Sequence, residues 1–209
     1  LSQTGLSAND SPFIFIIMRK PYWVLFLVLY GAAGSVAAQL SGNAVPAPAT
    51  GKQAFMSTPV DSVRIVFIGN SITEGWLKTD SAFFRGKAWH NKGISGHTTI
   101  QMLARFQEDV IRLQPSVVVI LAGTNDIAGN LGYVNNDAIA DNIISMCELA
   151  QHHNIRVVLC SVLPVYKYPW KPEVDAVTRV AGLNGRLRDY ATLQNITYVD
   201  FYSAMSDEM

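Results

Sequence analysis

Residues Ser62–Trp76 read SVRIVFIGNSITEGW, an apolar run that stops at Gly69-Asn70-Ser71 and passes into the start of a helical pattern. Val63, Ile65, Val66, Phe67 and Ile68 are β-branched or aromatic almost without a break, which suits a strand buried on both faces. In open parallel sheets ligands gather outside the carboxyl ends of the strands. A helix that starts there offers unpaired backbone N–H groups to negative charge. Ser71 sits at that junction, as a nucleophile or simply as a helix N-cap, a common use of serine after a strand. The motif is not G-x-S-x-G, so the nucleophile elbow of α/β-hydrolases is not what these residues encode.

Downstream, the chain alternates strand and helix patterns. Leu77–Gly86 has no clear period and reads as an irregular crossover into a brief second strand, Lys87–Asn91. Thr98–Leu113 is a helix, with Ile100, Leu103, Phe106, Val110 and Leu113 on one stripe; Thr98 and Gln101 fit a capping box, and Pro115 ends the segment. Ser116–Leu121 (SVVVIL) is the third strand, Asn130–Asn136 a loop, and Asp137–His153 a helix with Ile139, Ile143, Met146 and Ala150 in line. Ile155–Ser161 (IRVVLCS) is a strand, and Val162–Val174 a loop rich in proline and aromatics. Asp175–Leu193 is a helix with Val177, Val180, Asn184, Leu187 and Ala191 on its stripe, and Ile196–Asp200 is the fifth strand. Strands alternating with helices predict βαβ units and an α/β fold: a three-layer α/β/α sandwich around a parallel five-stranded sheet.

Upstream of Ser62 the composition changes. Met18-Arg19-Lys20, the apolar run Tyr22–Tyr30 and the small residues ending Val36-Ala37-Ala38 read as a signal peptide of about residues 18–38, cleaved after Ala38. The apolar run is short for a membrane span. Residues 1–38 are thus an upstream extension plus signal peptide, 39–61 (rich in Pro, Ala, Gly, Ser and Thr) a linker, and 62–209 the folded domain. A secreted or periplasmic location follows, with no stable membrane association once the signal is removed.

The 209 residues carry a formal charge of zero, with 49% hydrophobic residues, enough for one sizeable core. Charge balance gives no electrostatic reason to expect nucleic acid as a partner. Cys147 and Cys160 could pair in an exported chain. Their places, on a helix and inside an apolar strand, favour two free buried thiols, and their spacing suggests no metal site.

Three blocks then stand in order: Gly69-Asn70-Ser71-Ile72-Thr73, Asn91-Lys92-Gly93-Ile94-Ser95-Gly96 and Gly123-Thr124-Asn125-Asp126. Together they resemble the three blocks of the SGNH (GDSL-type) esterase and lipase superfamily, over roughly Val63 to Asp200. The resemblance implies a flavodoxin-like strand order, 2-1-3-4-5. It implies Ser71 as nucleophile, and an oxyanion hole made by the backbone N–H of Ser71, the backbone N–H of Gly93 and the side-chain amide of Asn125. Gly93, Asn125 and Asp126 could instead serve only turns. No cofactor or metal is implied. The expected activity is hydrolysis of short acyl esters, acetyl among them, on a small-molecule or carbohydrate alcohol.

Two departures stand out. The family usually has Asp before the serine, where this chain has Asn70. The family also takes its base and orienting carboxylate from an Asp-x-x-His block after the fifth strand, and the 209 residues contain none. His90, His152 and His153 lie off the strand ends, and His97 reads as a cap or loop residue. The sequence is therefore expected to be truncated before that block and, as it stands, a nearly inactive enzyme. A non-catalytic flavodoxin-like ligand- or sugar-binding domain is the rival.

Overall fold

The computed structural model describes residues 63–206; the expected signal peptide and the whole of the expected linker lie outside them. Five parallel strands form one sheet in the order β2-β1-β3-β4-β5. The strands are β1 (Ile65–Gly69), β2 (Trp89–Gly93), β3 (Val117–Leu121), β4 (Arg156–Cys160) and β5 (Thr197–Val199). The three central strands, IVFIG, VVVIL and RVVLC, are almost wholly apolar because both their faces are covered. β2 starts two residues later than the sequence pattern placed it. As an edge strand reading WHNKG it is only half-buried, so no apolar run marks its limits.

One face of the sheet carries α3 (Thr99–Asp109), α5 (Asn136–His152) and α6 (Ala176–Leu193). Their inner sides close the larger core with Val66, Ile68, Val118 and Ile120. Among the described residues the other face carries only α1 (Ser71–Thr79), α2 (Ser81–Phe84) and α7 (Phe201–Met205). The stretch Leu77–Gly86, expected to be irregular, thus holds the end of one helix and the whole of a second. Asp80 makes the break: its backbone N–H closes α1 on Trp76 O, and its side chain accepts the Phe83 N–H to start α2. Trp76, Phe83, Phe84 and Trp89 pack around Phe67, with ring centroids 5.4–6.0 Å from the Phe67 ring.

The capping box of α3 forms as expected, and a 3-10 turn, Ile111–Leu113, rather than α-helix completes the segment before Pro115. Two residues assigned to inner stripes face solvent: Ile100 is 52% exposed and Val177 45%. Both lie in first helical turns whose inward positions are taken by their neighbours Thr99 and Ala176, which are buried. The buried positions of α3 are Thr99, Met102 and Phe106.

Cys147 and Cys160 are free and buried, on opposite faces of the sheet, so no disulfide can join them without passing through it. Burial pushes each thiol up to about 12. Beneath α1 a small apolar depression is lined by Ile72, Thr73 and Trp76, by Val119, Leu121 and Cys160, and by Phe201. Among the described residues no helix is long and apolar enough to cross a membrane.

Candidate active site

Strand register brings the three sequence blocks to one edge. Gly69, at the end of β1, lies opposite Gly93 in β2 and opposite Leu121 in β3. Ser71, Gly93 and Asn125 therefore sit at or just past the carboxyl ends of three adjacent strands.

Asn70, not Ser71, caps α1. Its side-chain oxygen accepts the Ile72 N–H at 2.9 Å, and Asn70 is buried. Ser71 is left as the first helical residue, half-buried, with no hydrogen bond from its hydroxyl to any described residue. The N-cap use that sequence allowed for Ser71 is thus taken by its neighbour.

The β2 loop is pressed against α1. A Cβ on Gly93 would stand 2.1 Å from Glu74 N and 2.7 Å from the Thr73 carbonyl carbon, so only glycine fits there. Asn91 staples the same contact: its Nδ2 donates to Thr73 O at 2.6 Å, and its Oδ1 accepts the Gly93 N–H at 2.9 Å. The Gly93 N–H can serve a further acceptor only by sharing. Glu74 reaches from α1 to the loop as well, accepting the Ser95 N–H at 2.8 Å and the Ser95 hydroxyl. The Ser95 hydroxyl, helped by Lys78, holds the Glu74 carboxyl below its ordinary range.

Asn125 is buried in the short helix α4 (Thr124–Ile127), which follows Gly123 at φ +116°. Its Nδ2 donates to His97 O at 2.9 Å, tying the β3 loop to the β2 loop and leaving its second amide hydrogen uncommitted. Asp126 is no mere turn residue. Buried beside it, it accepts the Thr99 N–H at 3.0 Å and the Thr99 hydroxyl at 2.6 Å, at the N-terminus of α3. Burial pushes the Asp126 carboxyl up, against the pull of Thr99 and of the Arg179 charge.

Beneath the loops, Arg105 from α3 bonds two strand-end carbonyls, Gly69 O at 3.0 Å and Lys92 O at 2.9 Å. His97 lies near this group. Burial lowers its basicity, the Arg105 charge adds to the effect, and its Nδ1 is buried without a partner. His90, His152 and His153 are exposed, away from the three blocks. Among the described residues no group of His, Cys, Asp and Glu is placed to hold a metal ion.

Three aromatics of the loop after β4 divide. Tyr168 is buried and shares a 2.8 Å hydrogen bond with Thr124 Oγ1, Trp170 packs on it with ring centroids 5.6 Å apart, and Tyr166 is exposed. Sequence analysis missed Glu74, Asn91 and Arg105. Asn91 opens the second block and was visible there. Arg105 carried one signal, its i,i+4 spacing to Asp109 next to a buried stripe.

A five-stranded parallel sheet in this order, covered on both faces and carrying a serine at the head of the helix after β1, defines a three-layer α/β protein of the flavodoxin-like class. Within that class the chain belongs to the GDSL-like Lipase/Acylhydrolase family, whose profile matches residues 67–208. It is similar to the crystal structure of a GDSL-like lipase from Bacteroides thetaiotaomicron, with 40% identity over 86% of this chain and 82% of that one, at a TM-score of 0.68. An acetylxylan esterase from Geobacillus stearothermophilus shares the fold at 20% identity, over 71% of this chain and 80% of that one, with a TM-score of 0.56. A Bacillus subtilis protein described as an uncharacterized lipoprotein, YqeF, is 32% identical over 78 residues; the match spans 36% of this chain and 32% of that protein's length. The chain is thus a member of a hydrolase family.

Proposed function

We propose that this chain is the core of an exported serine esterase that hydrolyses short acyl esters, of acetyl size, on small-molecule or carbohydrate alcohols. The observation that carries this reading is the division of labour at the head of α1: Asn70 takes the cap, and the Ser71 hydroxyl, at the carboxyl edge of the sheet, has no hydrogen bond to any described residue. In the proposed reaction Ser71 Oγ adds to the ester carbonyl carbon and gives its proton to a base. The carbonyl oxygen, now negative, lies toward the Ser71 N–H, the Gly93 N–H and the Asn125 amide. Collapse of the intermediate breaks the bond to the alcohol, which leaves with a proton, and the acyl group stays on Ser71. Water repeats the sequence, frees the carboxylic acid and restores the serine.

The base and its orienting carboxylate are assigned to an Asp-x-x-His pair, which these 209 residues do not contain. The acetyl and carbohydrate preference is supported by the shared fold with an acetylxylan esterase. Export is supported by the basic, apolar and small-residue stretches of about residues 18–38. The test is hydrolysis of a short-chain chromogenic ester by the full-length protein, abolished in Ser71→Ala. Unchanged activity in that variant removes Ser71 as the nucleophile.

One observation favours a second reading, a non-catalytic ligand- or sugar-binding domain: the Gly93 N–H is already engaged by Asn91. Carbohydrate binding by the full-length protein, with no ester hydrolysis, selects it.

A further inference from the structure

Arg105 stands in the middle of α3 with its side chain 14% exposed, an expensive place for a charge unless it is fully employed. Its Nη2 donates to Gly69 O at 3.0 Å, and its Nη1 donates to Lys92 O at 2.9 Å and to Asp109 Oδ2 at 2.6 Å. Lys92 Nζ closes the group on Asp109 Oδ1 at 3.2 Å. Because Gly69 and Gly93 are register partners, one guanidinium spans the ends of two neighbouring strands. Its Nε is buried without a partner among the described residues. The fork is therefore placed for the two carbonyls and not for the best count of its own hydrogen bonds.

Each of those carbonyls is one half of a peptide unit. Lys92 C=O shares its peptide with the Gly93 N–H, and Gly69 C=O with the Asn70 N–H. A cation bonded to a peptide oxygen draws electron density from the nitrogen, so the N–H on the far side becomes a stronger donor. The Gly93 N–H already serves Asn91 Oδ1 at 2.9 Å. A strengthened N–H is what a three-centre bond to a second, negatively charged acceptor requires.

We infer that Arg105 is a positioning residue for oxyanion binding. Through the Lys92–Gly93 peptide it orients and polarises the Gly93 N–H, and through Gly69 O it fixes the strand end that carries Ser71. The inference deepens the serine-esterase reading and rests on it for its catalytic consequence. A lysine could bond one of the carbonyls but not span both in the same plane.

The experiment compares Arg105→Met and Arg105→Lys with the parent full-length protein. It reads the Gly93 amide proton by NMR, kcat and KM on a short-chain chromogenic ester, and the thermal midpoint. In Arg105→Met the Gly93 amide proton moves upfield while the amides of α5 stay in place. Its kcat falls about tenfold, less than the loss of a whole donor, with KM little changed. Arg105→Lys recovers part of both effects and shows the assignment if the methionine variant does not fold. An unmoved Gly93 amide in either folded variant overturns the inference, as does a kcat that falls only with the folded fraction. Absence of ester hydrolysis in the parent sinks the esterase reading and with it the catalytic consequence; the Gly93 shift then still decides whether Arg105 acts on that donor.

Discussion

The single residue with most influence on the site is Asn70, because its side chain does the work that would otherwise occupy Ser71. Asn70→Ala removes the cap, and a loss of about 1 kcal/mol in urea unfolding is expected; Asn70→Asp keeps an acceptor for the Ile72 N–H and holds stability near the parent value. Gly93 is held by space, with Glu74 N where a side chain would begin. Gly93→Ala must push α1 away from β2, and a loss of about 1–3 kcal/mol is the expected result. A variant as stable as the parent would show that the helix moves freely at this point. At this scale the sequence marked Ser71, Gly93 and Asn125 but could not choose between their catalytic and structural uses. The choice depends on partners far along the chain. Ser95 meets Glu74 across 21 residues and Thr99 meets Asp126 across 27, and no local pattern records such pairs.

Among the elements, α3 connects the core to the site. Burial works against the charge on Asp109, but the bonds from Arg105 and Lys92 prevail and hold its carboxyl below the ordinary range. Folding thus favours the ionised form. The stabilisation is complete above about pH 4 and is lost as the pH falls through the lowered folded value. Asp109→Asn should lower stability at neutral pH and make the decline on acidification shallower, as read from urea midpoints across pH 2–7; an unchanged slope would falsify the linkage. The loop after β4 is tied to α4 through Tyr168, whose hydroxyl burial pushes up to about 12. Tyr168→Phe leaves Thr124 Oγ1 without that partner, and a loss of about 1–2 kcal/mol is expected. Element identity was legible wherever apolar residues ran unbroken, as in β3, or kept helical spacing, as in α5, where Ile139, Ile143, Met146 and Ala150 are all buried. It failed at α2, where a four-residue helix leaves no period to detect, and at β2 the half-polar edge residues shifted the bounds of a strand that was otherwise legible.

The whole molecule was the most legible level, since five strand patterns separated by helices admit few topologies and the three blocks, by resemblance, selected one. What no pattern could supply is the pairing of those blocks with a base. The two coats of the sheet are also unequal: three long helices on one side, and on the other α1, α2 and α7 over an apolar depression. Local opening should follow the thinner coat. In deuterium-exchange measurements the amides of Ile72–Thr79 should take up label well before those of Ile143–Ala150, so that the helix presenting Ser71 breathes while the scaffold behind it stays shut.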